Sequence, residues 1–118
     1  MGGGKFIYKK NNISHVARIK DIAYLESRDR KIVIHLRDGR EDDFYGALKD
    51  VYEEQLKKCD FIFAHASYVV NYDYVTTIRH NCLHIKTKGD PTSLPISRNK
   101  KDEVRNRHIA ILHRRRGI

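Results

Sequence analysis

The chain has 118 residues, 40% hydrophobic and 33% charged, the composition of one globular domain rather than of a disordered segment. Lys and Arg total 24 against 15 Asp and Glu, a net charge of +9, which points to an acidic polymer as partner, nucleic acid before an anionic membrane surface. No apolar run reaches the roughly 18 residues of a membrane span, and the two isolated cysteines, Cys59 and Cys82, argue against a zinc site or disulfide scaffold and for a reduced, cytoplasmic setting.

Met1–Gly4 lacks the apolar stretch of a signal peptide and reads as an expression remnant or flexible leader. Phe6–Lys10 and His15–Lys20 form a plausible strand pair around an Asn11-Asn12 turn, and "DIAYLES" follows as a third strand. "KIVIHL" alternates, with Ile32, Ile34 and Leu36 on one face and Lys31, Val33 and His35 on the other. Asp38-Gly39 then gives a two-residue hairpin signal, because Gly tolerates positive φ, and "EDDFY" returns. In "ALKDVYEEQLKK", Leu48, Val51, Tyr52 and Leu56 recur at helical period and make one apolar stripe. "FIF", "SYVVN", "YVTTI", "CLHIKT" and "SLPIS" read as strands, separated by turns at His80-Asn81 and Gly89-Asp90-Pro91. Pro95 marks the last of these as an edge strand. "KDEVRNRHIAILHRR" is expected to close the chain as a helix with Val104, His108 and Ile111 on one side. Many short strands around one or two helices make a mainly β domain with antiparallel hairpins.

Enzyme chemistry has little support in these residues. His65 and Ser67 share a strand face, but no Gly-rich elbow or second base surrounds them. Seven histidines are present, without the H-x-x-x-H or Cys/His spacing of a metal site. His35 and His84 read as half-exposed strand positions, Val69 and Val70 as sheet core, and Asn71 as the start of a turn. No cofactor is implied.

Three segments at strand edges carry the remaining interest: "ESRDRK" (26–31), "HAS" (65–67) and "SRNKK" (97–101). Brought to one face, they would offer Arg and Lys to phosphates and bases, and small polar groups to phosphate oxygens. No helix-turn-helix, zinc finger or basic zipper is present, and the one clear helix carries Asp50, Glu53 and Glu54, which repel phosphate. Reading by loops or strands is therefore required. A single-stranded RNA-binding β domain is the alternative, with Tyr72 and Tyr74 available for stacking. A protein-interaction module with a basic face is another.

The order "IAYLES", "IVIHLRDGR", "FYGALK", "FIFAHASYVVN", "LPISRNKK" resembles the LytTR DNA-binding domain, the output module of AgrA-type bacterial response regulators. The resemblance runs from about Lys5 to Val104. It implies an elongated stack of three mostly antiparallel β-sheets of about ten strands with one or two short helices. It also implies loops that enter successive major grooves, two copies on a direct repeat as a dimer on DNA, and an upstream receiver domain. The DNA-binding domain is then expected over residues 5–112, with 113–118 a basic tail. Base contacts fall to Arg30, with Lys31 beside it, to Ala66 and to Arg98; Ser67, Asn99 and Lys101 match phosphate-holding positions. Arg28, His65 and Lys100 complete the candidate set. The family often has Asn, Arg or Lys where this chain has Ala66, which leaves a thymine methyl as that residue's available contact.

Overall fold

The computed structural model describes residues 4–117. Met1–Gly3 of the expected leader and Ile118 of the expected tail lie outside the described residues.

Turn chemistry sets the first hairpin. Asn11 and Asn12 both adopt positive φ (55° and 61°), the pairing a tight two-residue turn requires, so β1 (Lys5–Lys10) folds back onto β2 (Ile13–Arg18). The return strand starts two residues earlier than the sequence indicates, and Ile19–Asp21 is a 3₁₀ turn rather than strand. Then come β3 (Ile22–Arg28), β4 (Lys31–Leu36) and β5 (Glu41–Tyr45). The β4–β5 connection is a three-residue turn. Gly39 N–H donates to Leu36 O (3.0 Å) and Leu36 N–H to Arg40 O (2.9 Å), with Gly39 at φ +93°. The two-residue turn lies instead between β3 and β4, where Asp29 and Arg30 both have positive φ (51° and 66°).

The helical stripe forms as α1 (Leu48–Val51), which runs directly into a π-helical turn over Tyr52–Leu56. All four stripe residues are buried. The remaining strands are β6 (Phe61–His65), β7 (Tyr68–Asn71), β8 (Val75–Ile78), β9 (Cys82–Ile85) and β10 (Thr92–Pro95). A 3₁₀ turn, Arg98–Lys100, opens the closing helix α2 (Lys101–Arg115). The ten strands of the described residues make three antiparallel sheets: β1-β2, β5-β4-β3-β7-β6 and β10-β9-β8. Pro95 does lie on an edge strand, where its missing N–H costs no ladder bond.

The five-stranded sheet is covered on both faces. Leu25, Ile32, Ile34, Phe61 and Val69 pack toward α1 and the β1-β2 sheet, while Ile62, Ala64 and Val70 pack toward β9, β10 and α2. This double burial explains why β6 and β7 read as continuous apolar runs rather than alternating ones. The second face of β4 is covered as well. Val33 is buried, and His35 lies stacked on Tyr24 with ring centroids 4.0 Å apart.

The helix α2 continues three residues beyond the expected domain limit. Arg107 reaches the carbonyl oxygens of Phe61 and Lys57. Arg114 and Arg115 both pair with Asp60, and Arg115 also with Asp73 at 2.5 Å. Residues 113–115 are thus the docked last turn of a helix, not a free basic tail. Likewise Gly4 of the expected leader accepts a hydrogen bond from Ile19 N–H at 3.0 Å.

Asn71 ends β7 as a buried polar joint, only 2% exposed. Its side chain donates to Ile22 O (2.9 Å) and accepts from Asp73 N–H (3.0 Å). Asn71→Leu leaves that carbonyl and amide without partners. It is expected to lower stability by about 1–3 kcal/mol, with an unchanged denaturant slope in urea unfolding.

Candidate nucleic-acid interface

The antiparallel register brings the ends of β3 and β6 and the start of β7 to the same end of the five-stranded sheet. Two backbone hydrogen bonds then join the three basic and polar segments. Ser27 N–H donates to Ser67 O (2.9 Å), and Ser97 N–H donates to Ala64 O (2.9 Å). The β3–β4 turn, the β6–β7 turn and the segment after β10 therefore lie side by side. This convergence depends on pairings far apart in the chain, and the sequence alone does not show it.

At the β3–β4 tip Arg30 is exposed and sits in the left-handed region that side chains other than Asn, Asp and Gly seldom adopt. Its carbonyl accepts from Gly46 N–H at 3.4 Å, which ties the tip to the end of β5. Among the described residues no ion pair or side-chain hydrogen bond engages Arg30 or Arg98, both exposed. Arg28 differs: its Nη2 donates to Glu26 Oε1 at 2.7 Å, and His35 Nε2 lies 2.9 Å from the same oxygen. Burial works to raise the Glu26 carboxyl, but the hydrogen bonds from Arg28 and His35 outweigh it and hold the carboxyl below its ordinary range. Lys31 Nζ lies 5.0 Å from the ring centroid of Tyr45, its cross-strand partner.

In the middle segment, Ser67 N–H donates to His65 Nδ1 at 3.0 Å. That ring nitrogen shapes the turn, and Ala66 is left exposed at its tip. In the third segment Arg98 and Asn99 are exposed on the 3₁₀ turn. This turn begins three residues after β10 ends, not at the strand edge. Lys100 and Lys101 face different clefts. Lys100 Nζ lies 4.1 Å over the Phe63 ring and 3.7 Å from Glu103, in an open groove that Ser27, Ala66 and Tyr52 also line. Lys101 Nζ lies 3.0 Å from His80 Nε2, in a cleft between α2 and the β8–β9 turn.

Sequence reasoning did not single out Tyr45, 75% exposed at this end of the sheet, whereas Ser27, which supplies one of the ties, lies within the segment 26–31 set apart from the sequence. The β4–β5 turn, which pairs Leu36 with Arg40, is what places Tyr45 opposite Lys31. The aromatics considered for RNA stacking are engaged elsewhere. Tyr72 pairs with His108 (3.1 Å) beneath Arg115, and Tyr74 donates to Lys20 O (2.5 Å).

The LytTr DNA-binding domain model matches residues 12–108, most of the chain. This chain belongs to the LytTr DNA-binding domain family. Among solved structures, the LytTr DNA-binding domain of a Bacillus cereus protein, titled a methyl-accepting/DNA response regulator, aligns with TM-score 0.67 at 21% identity. The alignment covers 90% of this chain and 97% of that one, and at such identity it speaks for the shared fold. No curated protein sequence matches the chain significantly. The three-sheet architecture agrees with the LytTr fold. Among the described residues no helix is long and apolar enough to cross a membrane, and no group of three or more His, Cys, Asp or Glu side chains forms a metal cluster.

Proposed function

We propose that this LytTr domain binds double-stranded DNA sequence-specifically as the output part of a bacterial transcriptional regulator in the cytoplasm. The observation that carries this reading is the cross-tying of three segments through Ser27–Ser67 and Ser97–Ala64, with Arg30 and Arg98 exposed on the two outer segments and, among the described residues, unpaired. Unpaired arginines on a net charge of +9 suit phosphates and guanine edges. Arg30's left-handed backbone supports the same reading, because such strain concentrates at functional tips.

The domain works without chemistry. Lys31, Ser67, Asn99, Lys100 and Lys101 hold phosphates and release counterions. Arg30 and Arg98 read base edges in the major groove, and Ala66 lies against a thymine methyl. His65 shapes the middle turn, and Arg28 braces the first through Glu26. The longest dimension, 41 Å, exceeds the roughly 34 Å pitch of one duplex turn, so a single domain suits one helical repeat. Two copies on a direct repeat, as a dimer on DNA, and an upstream receiver domain complete the proposal.

Selection from a random duplex pool tests it. A selected duplex should outcompete a scrambled one at the same salt concentration, and should also outcompete single-stranded RNA. Equal binding of selected and scrambled duplexes would end the sequence-specific reading. Lys101→Ala is expected to weaken both duplexes alike and to reduce the slope of log K against log salt by about 0.9, one phosphate contact. Fluorescence anisotropy over a salt series reads both quantities.

A further inference from the structure

We infer that the β8–β9 turn forms a further anion site, with Arg79, His80 and Lys101 donating to a phosphodiester oxygen of the duplex backbone. The inference rests on the DNA-binding reading and extends it from the five-stranded sheet to the three-stranded one.

The turn is tightly closed. Arg79 N–H donates to Cys82 O at 2.8 Å, and Ile96 N–H donates to Asn81 O at 2.9 Å. The second bond fastens the turn to the segment that runs into Arg98. Lys101 Nζ then lies 3.0 Å from His80 Nε2. An ammonium only donates, so this contact needs a neutral His80 accepting at Nε2, with its proton on Nδ1. Nδ1–H is left as a donor. Arg79 Nε lies 3.1 Å from His84 Nε2, which steadies the guanidinium and leaves its terminal nitrogens for a forked contact with an oxyanion.

The cleft between this turn and α2 holds about 410 Å³ over an apolar floor that includes Ile78, Ile96 and Val104. Asp102 is the single carboxylate residue lining it, and Arg105 holds that carboxylate at 2.9 Å. Among the described residues no carboxylate lies within ion-pair distance of Arg79 or Lys101, whereas Lys10, Lys100 and Arg114 each have at least one. Two cations gathered at one cleft without a counter-ion repel each other, and a phosphate between them converts that repulsion into attraction. The site also adjoins Arg98–Lys100, so one backbone strand can run from that turn to this one.

The test measures anisotropy on a selected and a random duplex across a salt series, for wild type, Arg79→Ala, Arg79→Gln, Arg79→Lys and Arg40→Ala. Arg40 sits at the β4–β5 turn, at the opposite end of the five-stranded sheet, and controls for loss of net charge. Arg79→Ala and Arg79→Gln should each reduce the salt slope by about 0.9 and weaken both duplexes by the same factor, while Arg79→Lys keeps the slope. Arg40→Ala should leave the slope near wild type. Gln covers the case in which Ala disturbs the turn, and a melting curve accompanies each variant. The inference is overturned if wild type binds with a steep slope and the folded Arg79→Ala and Arg79→Gln variants match either wild type or Arg40→Ala. Failure of the DNA-binding reading looks different, because wild type itself then shows no salt-dependent binding.

Discussion

Arg98→Lys is expected to weaken binding to the selected duplex by roughly 5- to 150-fold while leaving affinity for random duplex nearly unchanged. The range corresponds to the roughly 1–3 kcal/mol by which a forked arginine contact to guanine O6 and N7 discriminates against a wrong base. Lysine keeps the charge but loses the planar fork. Arg98 suits this role because it is exposed on a 3₁₀ turn whose preceding residue, Ser97, is fastened to Ala64. Arg98→Ala should lose the preference and also flatten the salt slope by about 0.9. Both duplexes must be compared at one salt concentration, since the nonspecific contribution otherwise masks the difference. If Arg98→Lys weakens both by the same factor, Arg98 clamps a phosphate. Specificity then falls to Arg30, to Ala66 against a methyl group, or to the bendability of the site.

Val70→Asp is expected to abolish cooperative unfolding altogether. Val70 is fully buried in β7, opposite Tyr24 on one side and Ile62 on the other, and faces the cluster formed with Leu83, Val104 and Ile111. A carboxylate there has no cation to pair with, and its desolvation costs several kcal/mol. Domains of this size have only about 5–15 kcal/mol in hand. Val70→Ala serves as the comparison. It removes apolar volume without adding charge, should cost about 2 kcal/mol, and should still melt in a single transition. A sharp, near-native melt for Val70→Asp in circular dichroism would show that the face between β7 and α2 is open to water.

The local signals in the sequence translated into structure wherever they rested on neighbouring residues. The apolar stripe of α1, the turn at Asn11-Asn12 and the edge position of Pro95 all depend on contacts within a few residues, and each formed. The left-handed Arg30 was illegible for a physical reason. Arginine carries no turn preference, and its φ is imposed by the hairpin register of β3 and β4. His35 is half-buried, as its strand position suggested, but its partners were illegible: Tyr24 stacks on it from the adjacent strand, and Glu26 and Glu41 flank it. The closing arginines looked like a solvated run because Asp60 and Asp73, which hold them, lie over forty residues earlier in the chain.

The two ties that gather the interface are made by peptide groups, with Ser27 and Ser97 donating and Ser67 and Ala64 accepting. Every residue except proline has the donor such a tie needs, and every residue has the acceptor. The frame is therefore indifferent to the side chains it displays. If Arg30, Ala66 and Arg98 read DNA as proposed, they can be exchanged one at a time, each altering what is read at its own loop without loosening the others. A lineage can follow a drifting operator by single substitutions at these tips, and an engineer can retarget the domain by the same steps. Proline at position 27 or 97 removes the donor and would loosen the scaffold along with the message.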